Sequence, residues 1–376
     1  LFSTLAFFNY GPPVWLFVGF LLLVPFFLRA TPIAVFILTI ACVAVPQANT
    51  LWSPYNRIDF VPLPPPVGSN DRGAYSVVTS HVWYQFLADL SPQFLQRYPN
   101  FEPNRSLVPY YELPYRLVPH PNNVLILGAG AGNDVAAALR YGAQHIDAVE
   151  LDPVILRLGR QFHPEHPYSS TRVTAHVDDA RVFLKKTRDK YDLVVFAFLD
   201  STTLLSGFSS LRLDNYVYTV ESFSEAKNVL SPHGTLVLSF ATGRNFATDR
   251  LYASMAKAFD VPPAAYFTRY WVNGVVLVEG NARTTIVPDL PRVDQELQLR
   301  KSVILATDHW PFLYLRNRSI PSSILVVSAL FLLASWVLLR RLGLLSLSPK
   351  VFSYHFFCLG AGFLLLETKA VTQMSL

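Results

Sequence analysis

The sequence predicts an α/β fold with a mainly parallel, seven-stranded sheet that is covered by helices on both faces and closed by one antiparallel hairpin. From Asn122 onward, continuous apolar runs of strand length alternate with helix-like segments, which is typical of a parallel sheet buried on both faces. The first run, Val124 to Leu127, ends in a glycine-rich loop. The last two runs are separated by Val272-Asn273-Gly274, and Asn-Gly is a strong signal for a tight hairpin turn. These observations favour a Rossmann-like sheet that ends in a hairpin.

Each predicted element follows from the same alternation. After the first strand, the predicted strands are 146–149, 172–177, 193–198, 235–240, 265–271 and 275–278, and the predicted helices are 134–141, 153–162, 180–187, 220–230 and 248–259. Upstream, Tyr55 to Pro64 and Ala74 to Thr79 are predicted strands of a small N-terminal β module. The segment Ser91 to Tyr110 contains four prolines, so we expect it to form loops with short helices.

The ends of the chain are more apolar than a purely soluble enzyme requires. Hydrophobic residues make up 51% of the 376 residues, and four apolar runs lie at Pro13–Leu28, Ile33–Val45, Ser322–Leu339 and Val351–Leu366. Each falls slightly short of the ~20 residues that span a bilayer, but neutral flanks can extend them. We therefore predict transmembrane helices at 1–50 and 319–376, a β-rich module with loops at 51–121, and a Rossmann-like domain at 122–318. Since the chain opens at Leu1 with a further apolar piece, we expect a slice of a longer polytopic protein.

Composition excludes several kinds of site in the central domain. Both cysteines, Cys42 and Cys358, lie in the apolar ends, which excludes a disulfide framework and cysteine-based metal sites between them. The histidines lack a metal-binding spacing, so no metal is predicted. A net charge of +5 without any block of like charges gives no reason to expect nucleic acid as a partner.

The glycine-rich loop is the first candidate for a ligand site. Gly128, Gly130 and Gly132 directly follow a predicted strand and precede a helix, a context in which the backbone can turn sharply and approach a ligand. A tight turn without a ligand is the alternative. A dinucleotide fold would have its third glycine at Asn133, so the observed G-x-G-x-G spacing favours an adenosyl sulfonium over NAD. Asp134 opens the helix and could hold a cationic amino group.

Acidic residues follow the next two strands at the same predicted sheet edge. Glu150, which is followed by Leu151, has two oxygens that can accept hydrogen bonds from a ribose diol. Asp179, followed by Ala180, can accept a hydrogen bond from an adenine amino group. Either acid could instead cap the helix that follows it. We assign these four residues to the cofactor site.

Several phrases of this sequence resemble a known family. They are Gly132–Leu139, His163–Tyr168, Arg212–Thr219 and Gly360–Lys369. From Asn122 to Gly280 the chain resembles spermidine synthases of the class I S-adenosylmethionine-dependent methyltransferase superfamily, and it looks still more like multi-span bacterial spermidine-synthase-like membrane proteins. The resemblance implies S-adenosylmethionine or its decarboxylated form as cofactor. It also implies a place in the bacterial inner membrane, with the catalytic domain in the cytoplasm.

The resemblance also implies residue roles. Asp200 matches the family's catalytic acid, with Ser201 beside it in the substrate site. Gln85, Tyr111 and Glu112 resemble polar residues of the active-site mouth, the first on the cofactor side and the other two on the substrate side.

Two positions depart from the family pattern. A second acid would follow Asp200 three residues on, where this chain has Thr203, and the family's acidic glycine loop has Ala131 here in place of Asp. These losses put polyamine specificity in doubt.

Three functions follow from these observations. The first is a membrane-embedded transferase that passes an aminopropyl group to an amine. The second is an S-adenosylmethionine-dependent methyltransferase acting on a membrane-associated substrate, which fits the lost acids because a neutral acceptor needs no ammonium clamp. The third is a non-catalytic subunit or regulatory domain of a membrane complex. The expected partners are the lipid bilayer, a small-molecule amine or membrane-delivered acceptor, and subunits of such a complex.

Overall fold

The computed structural model describes most of the central part of the chain and portions of its ends. The described residues are 12–23, 37, 50–79, 82–199, 213–241, 245–268, 274–288, 290–298, 303–319, 322–341, 354 and 357–364. The predicted turn at Val272-Asn273 and the predicted span at 33–45, apart from Ile37, lie outside them.

A small antiparallel sheet forms the N-terminal β module. Its strands are β1 (Thr50–Trp52), β2 (Arg57–Pro62), β3 (Ala74–Thr79) and β4 (Val82–Ala88), paired in that order. All three pairings are antiparallel, so the chain runs as a simple meander. The β-rich character predicted for this region is confirmed.

The main sheet has seven strands within the described residues, in the order β10-β11-β9-β8-β5-β6-β7. The strands are β5 (Asn123–Leu127), β6 (His145–Glu150), β7 (Val173–Val177), β8 (Tyr191–Ala197), β9 (Leu230–Ala241), β10 (Ala264–Thr268) and β11 (Gly274–Gly280). Strands β5 to β9 pair in parallel, whereas β11 is antiparallel to both β9 and β10. The predicted mixed sheet with a terminal antiparallel hairpin is confirmed.

The order of the strands creates a switch point beside β5. The chain proceeds from β5 to β6 and β7 on one side, then returns to place β8 on the other side. Ligands of open α/β sheets bind outside the carboxyl ends of the strands at such a point. Alternate side chains of β5 pack into different cores: Val124 and Ile126 lie on one face, and Leu125 and Leu127 on the other.

Helices cover both faces of the sheet and also lie outside it. Their bounds are α1 (Pro12–Leu23), α2 (Pro92–Arg97), α3 (Asn104–Leu117), α4 (Asn133–Arg140), α5 (Pro153–Phe162), α6 (Ala180–Lys186), α7 (Val220–Val229), α8 (Asn245–Phe259), α9 (Asp294–Gln298) and α10 (Ser322–Arg341), with 3-10 helices at Pro167–Ser169, Leu213–Tyr218 and Asn281–Thr284.

Helix α3 corrects the prediction that Ser91 to Tyr110 consists of loops with short helices. It runs for 14 residues and contains both Pro109 and Pro114, each of which removes a backbone donor. It persists because one face is deeply buried, including Leu107, Tyr111 and Leu113. Tertiary packing of an apolar face stabilises most protein helices, and here it outweighs the cost of the two prolines.

The membrane prediction is also corrected. Helix α1 has 12 residues, whereas about 20 are needed to span a bilayer. Across the parts of the chain that the structure describes, no helix is both long enough and apolar enough to cross a membrane. The predicted multi-pass localisation in a bacterial inner membrane is therefore contradicted.

A buried asparagine joins the two sheets. Asn133, the first residue of α4, donates from Nδ2 to the Phe86 carbonyl at 2.6 Å, and its Oδ1 accepts from the Ala88 amide at 3.1 Å. The same Oδ1 lies 2.9 Å from Nε2 of His163, whose Nδ1 accepts from the Glu165 amide. His163 therefore carries its proton on Nε2 and donates to Asn133. Burial lowers the pKa of His163 to about 3, so the ring is neutral.

Replacing Asn133 should weaken the contact between the two sheets and lower the stability of the protein. In Asn133→Ala, the Ala88 amide and the Phe86 carbonyl lose their buried partner, which should lower the free energy of unfolding by about 1–3 kcal/mol. Chemical denaturation of the purified protein measures this. Asn228→Ala, on the exposed surface of α7, is the matched control and should stay within about 0.5 kcal/mol of wild type. Equal stability of both variants would contradict the role of Asn133.

Candidate functional site

The glycine turn after β5 is built from left-handed backbone. Gly128, Gly130 and Gly132 have φ angles of 76°, 55° and 110°. A side chain at Gly128 would place its Cβ 2.3 Å from Cδ2 of Leu199, so only glycine fits there. The amides of Gly128 and Ala129 both donate to the Val149 carbonyl at 2.9 Å. The turn is therefore fixed against the end of β6.

Glu150 ends β6 and is nearly inaccessible to solvent, with 4% of its surface exposed. Its Oε2 accepts from the Gly130 amide at 2.8 Å, and its Oε1 accepts from the Asp152 amide at 2.8 Å. Burial raises the pKa of Glu150 to about 7, because hydrogen bonds from backbone amides offset only part of the lost hydration. Each oxygen retains further capacity to accept a hydrogen bond from a ligand hydroxyl.

Asp179 caps the helix that follows it, as the alternative interpretation allowed. Its Oδ1 accepts from the amides of Arg181 at 2.8 Å and Val182 at 3.1 Å. Burial raises the pKa of Asp179, and the two amide donors oppose this rise. Capping does not remove the side chain from the site, because Asp179 also lines the cavity next to the glycine turn.

A cavity of about 260 Å³ lies at the carboxyl edge of the main sheet. Its walls come from both sheets: Tyr55, Asn56, Thr79, Tyr84, Gly128, Val149, Glu150, Leu151, Asp152, Ile155, Asp178, Asp179, Ala180, Leu199 and Val217. Four of these residues carry carboxyl groups. Among the described residues that line it, none is lysine, arginine or histidine. The cavity therefore suits a ligand that carries positive charge.

The β1–β2 turn forms one wall of this cavity, and sequence reasoning missed it. Ser53 donates from Oγ to Oδ2 of Asp152 at 2.6 Å, and both residues are buried. The same Oγ accepts from the amides of Tyr55 and Asn56 at 3.2 and 2.9 Å. Burial, followed by the nearby Asp152, Asp179 and Glu150, raises the pKa of Tyr55. The Ser-Pro-Tyr-Asn sequence signals a turn, but nothing in it signals the distant partner Asp152.

The structure brings together only some of the residues assigned from the sequence. Gly128, Glu150, Leu151, Asp179 and Ala180 line the cavity. Their predicted contacts with a cofactor stay predictions.

Other predicted residues lie near the glycine turn without lining the cavity. Gly130 binds Glu150, and Gly132 precedes α4. Asp134 is the second residue of α4, and burial raises its pKa to about 7. Gln85 faces the turn: its Oε1 accepts from the Ala131 amide at 3.3 Å, while its buried Nε2 has no partner among the described residues. The contact of Gln85 with a cofactor stays a prediction.

The residues predicted for substrate binding are separated from the cavity or lie outside the described structure. Tyr111 accepts from Nδ2 of Asn133 at 3.0 Å, and Glu112 lies beside the Tyr141 hydroxyl. Neither of them lines the cavity. Asp200 and Ser201 lie outside the described residues. Leu199, the last described residue before them, lines the cavity.

Comparison with known proteins agrees with this geometry. Residues 110–272 match the family model described as the spermine/spermidine synthase domain. This range, less than half of the chain, is thus similar to that domain. The matched range contains the glycine turn, Glu150, Asp179 and Asp200, but not the N-terminal sheet that supplies Tyr55 and Tyr84.

The similar curated proteins are polyamine aminopropyltransferases. That of Vibrio vulnificus is 33% identical over 138 residues, which cover 36% of this chain and 41% of that protein. That of Sulfolobus acidocaldarius is 30% identical over 146 residues, which cover 37% of this chain and 46% of that protein. The chain thus spans less than half the length of these relatives. The similarity supports the transferase class that the sequence predicts.

Solved structures with a similar arrangement include two spermidine synthases. One, from Thermotoga maritima, is 14% identical with a TM-score of 0.47 and covers 72% of this chain and 82% of its own. The other, in complex with the transition state analogue AdoDATO, is 13% identical with a TM-score of 0.48, and the alignment covers 74% of this chain and 85% of that protein.

The raised pKa of Glu150 predicts a pH-dependent affinity. A ribose diol donates hydrogen bonds, so it binds the ionised carboxylate, and affinity for methylthioadenosine should rise with pH through about 7. Folding raises this pKa from 4.5 to about 7, so the folded protein holds the proton more tightly than the unfolded chain does. The stability of the ligand-free protein should therefore fall as pH rises from 4.5 to about 7. Calorimetric titration at pH 6 to 8 measures the affinity.

Two variants separate Glu150 from its neighbour. Glu150→Gln should weaken binding and flatten the pH profile, because the amide does not ionise. Asp134 has a similar pKa but does not line the cavity, so Asp134→Asn should keep the profile. A flat profile in wild type, or one that disappears only in Asp134→Asn, would contradict the assignment to Glu150.

Proposed function

We propose that this chain is a spermidine-synthase-like aminopropyltransferase that uses decarboxylated S-adenosylmethionine and an amine acceptor. The observation that carries the proposal is the cavity wall, which has four carboxyl groups and no basic side chain among its described residues. Decarboxylated S-adenosylmethionine has a sulfonium and an ammonium group, and both charges are favoured next to carboxylates. The parent compound carries an additional carboxylate, which this wall would repel.

The residues of the glycine turn fit an adenosyl group. A Cβ at Gly128 or Gly130 would meet Leu199 or Gln85, so the absence of a side chain at these two positions lets Leu199 and Gln85 pack directly against the turn. The buried Gln85 Nε2 is a hydrogen-bond donor without a protein partner in the described structure. In this proposal Glu150 accepts hydrogen bonds from the ribose diol, and Asp179 accepts one from the adenine amino group while it continues to cap α6.

The proposed chemistry depends on one further carboxylate. When bound, decarboxylated S-adenosylmethionine supplies an alkyl carbon beside a sulfonium, and this carbon passes to the acceptor nitrogen as the C–S bond breaks. Asp200 takes the proton that the acceptor amine loses, which is general-base catalysis. The acidic cavity excludes competing anions and helps to hold the cationic ligand in line for attack.

A second function is favoured by one observation. Ala131 occupies the position where the resemblance calls for an acidic residue, and it is buried in an apolar cluster with Ile58 and Val77 of the N-terminal sheet. Position 131 therefore supplies no carboxylate for a polyamine. Methyl transfer from S-adenosylmethionine to a neutral acceptor would not need one, so it stands as the second candidate.

Ligand binding separates the two candidates. We expect calorimetry of the purified protein to give tighter binding of decarboxylated S-adenosylmethionine than of S-adenosylmethionine, with measurable binding of methylthioadenosine. Mass spectrometry should then detect transfer of the aminopropyl group to putrescine or spermidine, used as probe amines. Preference for the carboxylated compound would support methyl transfer, and binding of none of the three would indicate a non-catalytic domain.

Asp200→Asn tests the proposed base. Loss of proton acceptance should lower turnover by about 10²- to 10⁴-fold while the affinity for methylthioadenosine stays close to that of wild type. Asp260→Asn is the control, because Asp260 is exposed at the end of α8 and its left-handed backbone suits asparagine. Full turnover in Asp200→Asn, measured at saturating donor, would exclude this role.

A further inference from the structure

Arg181 is a buried cation next to the cavity, although its side chain does not line it. Asp179 and Ala180, the two preceding residues, both line the cavity, whereas Arg181 is 1% exposed. Its backbone amide donates to Asp179 at 2.8 Å, so the backbone of Arg181 helps to hold the acid proposed to bind adenine. The guanidinium is therefore attached directly to one wall of the site.

The guanidinium binds three segments that are distant in the sequence. From Nη1 it donates to the Tyr216 carbonyl at 2.8 Å, to Oγ1 of Thr219 at 2.9 Å and to Oδ1 of Asp308 at 3.0 Å. From Nη2 it donates to Glu225 and Asp308, each at 2.9 Å, and Nε donates to Glu225. All five N–H groups thus have acceptors.

The surrounding groups lock this arrangement. Thr219 donates from Oγ1 to Oδ1 of Asp308 at 2.8 Å and caps α7. The Asp308 amide donates to Glu221 at 3.0 Å. Although burial opposes the charge, the hydrogen bonds to Glu225 and Asp308 hold the pKa of Arg181 above its ordinary value. The cation is thus permanent, and two carboxylates compensate it.

The contact with Tyr216 links this cluster to the cavity a second time. Tyr216 belongs to the 3-10 helix Leu213–Tyr218, and its neighbour Val217 is a wall residue of the cavity. Arg181, which does not itself line the cavity, therefore connects the segment of Asp179 to the segment of Val217, two residues that do line it. Displacement of either wall would break charge-assisted hydrogen bonds in a buried environment, where they are strong.

We propose that Arg181 is a positioning residue for the adenosyl group, because it fixes the distance between the Asp179 and Val217 walls of the cavity. This inference rests on the proposed function for the identity of the ligand. It predicts that the donor site widens when the guanidinium fork is lost, even where the fold survives. Lysine cannot replace it fully, since a single ammonium cannot bind two carboxylates, a hydroxyl and a carbonyl in this planar arrangement.

The test compares Arg181→Lys with Arg140→Met. Arg140 is a matched control because it also pairs with a partly buried carboxylate, that of Glu165, at 2.6 Å, but it does not touch the cavity. We expect both variants to lower the melting temperature. Only Arg181→Lys should raise the Kd for methylthioadenosine, by about tenfold, and the KM for the donor, while the KM for the acceptor stays unchanged.

Amide hydrogen exchange supplies a readout that is independent of activity. Peptides covering residues 213–219 should exchange faster in Arg181→Lys than in wild type, and at the wild-type rate in Arg140→Met. Should Arg181→Lys fail to fold, Asp308→Asn removes one acceptor of the fork and should give the same two changes at smaller size.

The outcomes are distinguishable. If wild type binds neither decarboxylated S-adenosylmethionine nor methylthioadenosine, the proposed function fails and this inference fails with it. If wild type binds and the folded Arg181 or Asp308 variant binds equally well, the function stands and the positioning role is wrong. Equal losses of affinity in Arg181→Lys and Arg140→Met would also overturn it, because they would reflect general destabilisation.

Discussion

The buried carboxylate of Glu150 is the interaction on which the site depends. One side chain joins the end of β6 to the glycine turn after β5 and to the start of α5, through the Gly130 and Asp152 amides. Removing a carboxylate from water is costly, and the backbone amide donors offset only part of that cost. Because the amide donors do not fully replace the lost hydration, the pKa of Glu150 is raised to about 7. A ligand that donates further hydrogen bonds would complete the solvation of the group, so ligand binding and local stability are coupled at Glu150.

The cavity also requires the N-terminal sheet, because Tyr55 and Tyr84 supply walls that the main sheet lacks. Two buried polar contacts hold the sheets together: Ser53 with Asp152, and Asn133 with the backbone of β4. Such contacts are directional, unlike apolar packing, so they fix the register between the sheets. The cavity thus has a defined shape on the side that residues 110–272, the range of the matched domain, do not include.

The sequence predicted the central fold well, and the reason is physical. Strands buried on both faces need continuous apolar runs, so β5 and β8 were visible within a few residues of their true bounds. Helix α3 was missed because the prolines of Ser91–Tyr110, such as Pro103 and Pro109, are breakers in isolation, and only packing explains how the helix accommodates Pro109 and Pro114. The membrane prediction was made from apolar composition alone, and it is contradicted, because no helix of the described residues is both long enough and apolar enough to cross a membrane.

The site was only partly predictable for a related reason. Acids at strand ends follow from the topology of a parallel sheet, which made Glu150 and Asp179 visible. Contacts between distant segments have no local signal. Asn133 was interpreted only as the position where a dinucleotide fold would have its third glycine, whereas its side chain joins the two sheets. Arg181 follows the acids in the sequence, and no role was predicted for it, although it contacts the segment of Tyr216. Both residues act through buried hydrogen bonds to partners far along the chain.

The distribution of charge bears on specificity. Acids are concentrated around the cavity, yet the two positions where the resemblance calls for acids that bind a polyamine are Ala131 and Thr203. Ala131 is buried against the N-terminal sheet, so a carboxylate there would face Ile58 and Val77 and would be strongly disfavoured. In the proposed function, electrostatic attraction therefore acts mainly on the adenosyl donor. We propose that selection of the acceptor then depends on Asp200, and that amines with fewer charges than a long polyamine are preferred.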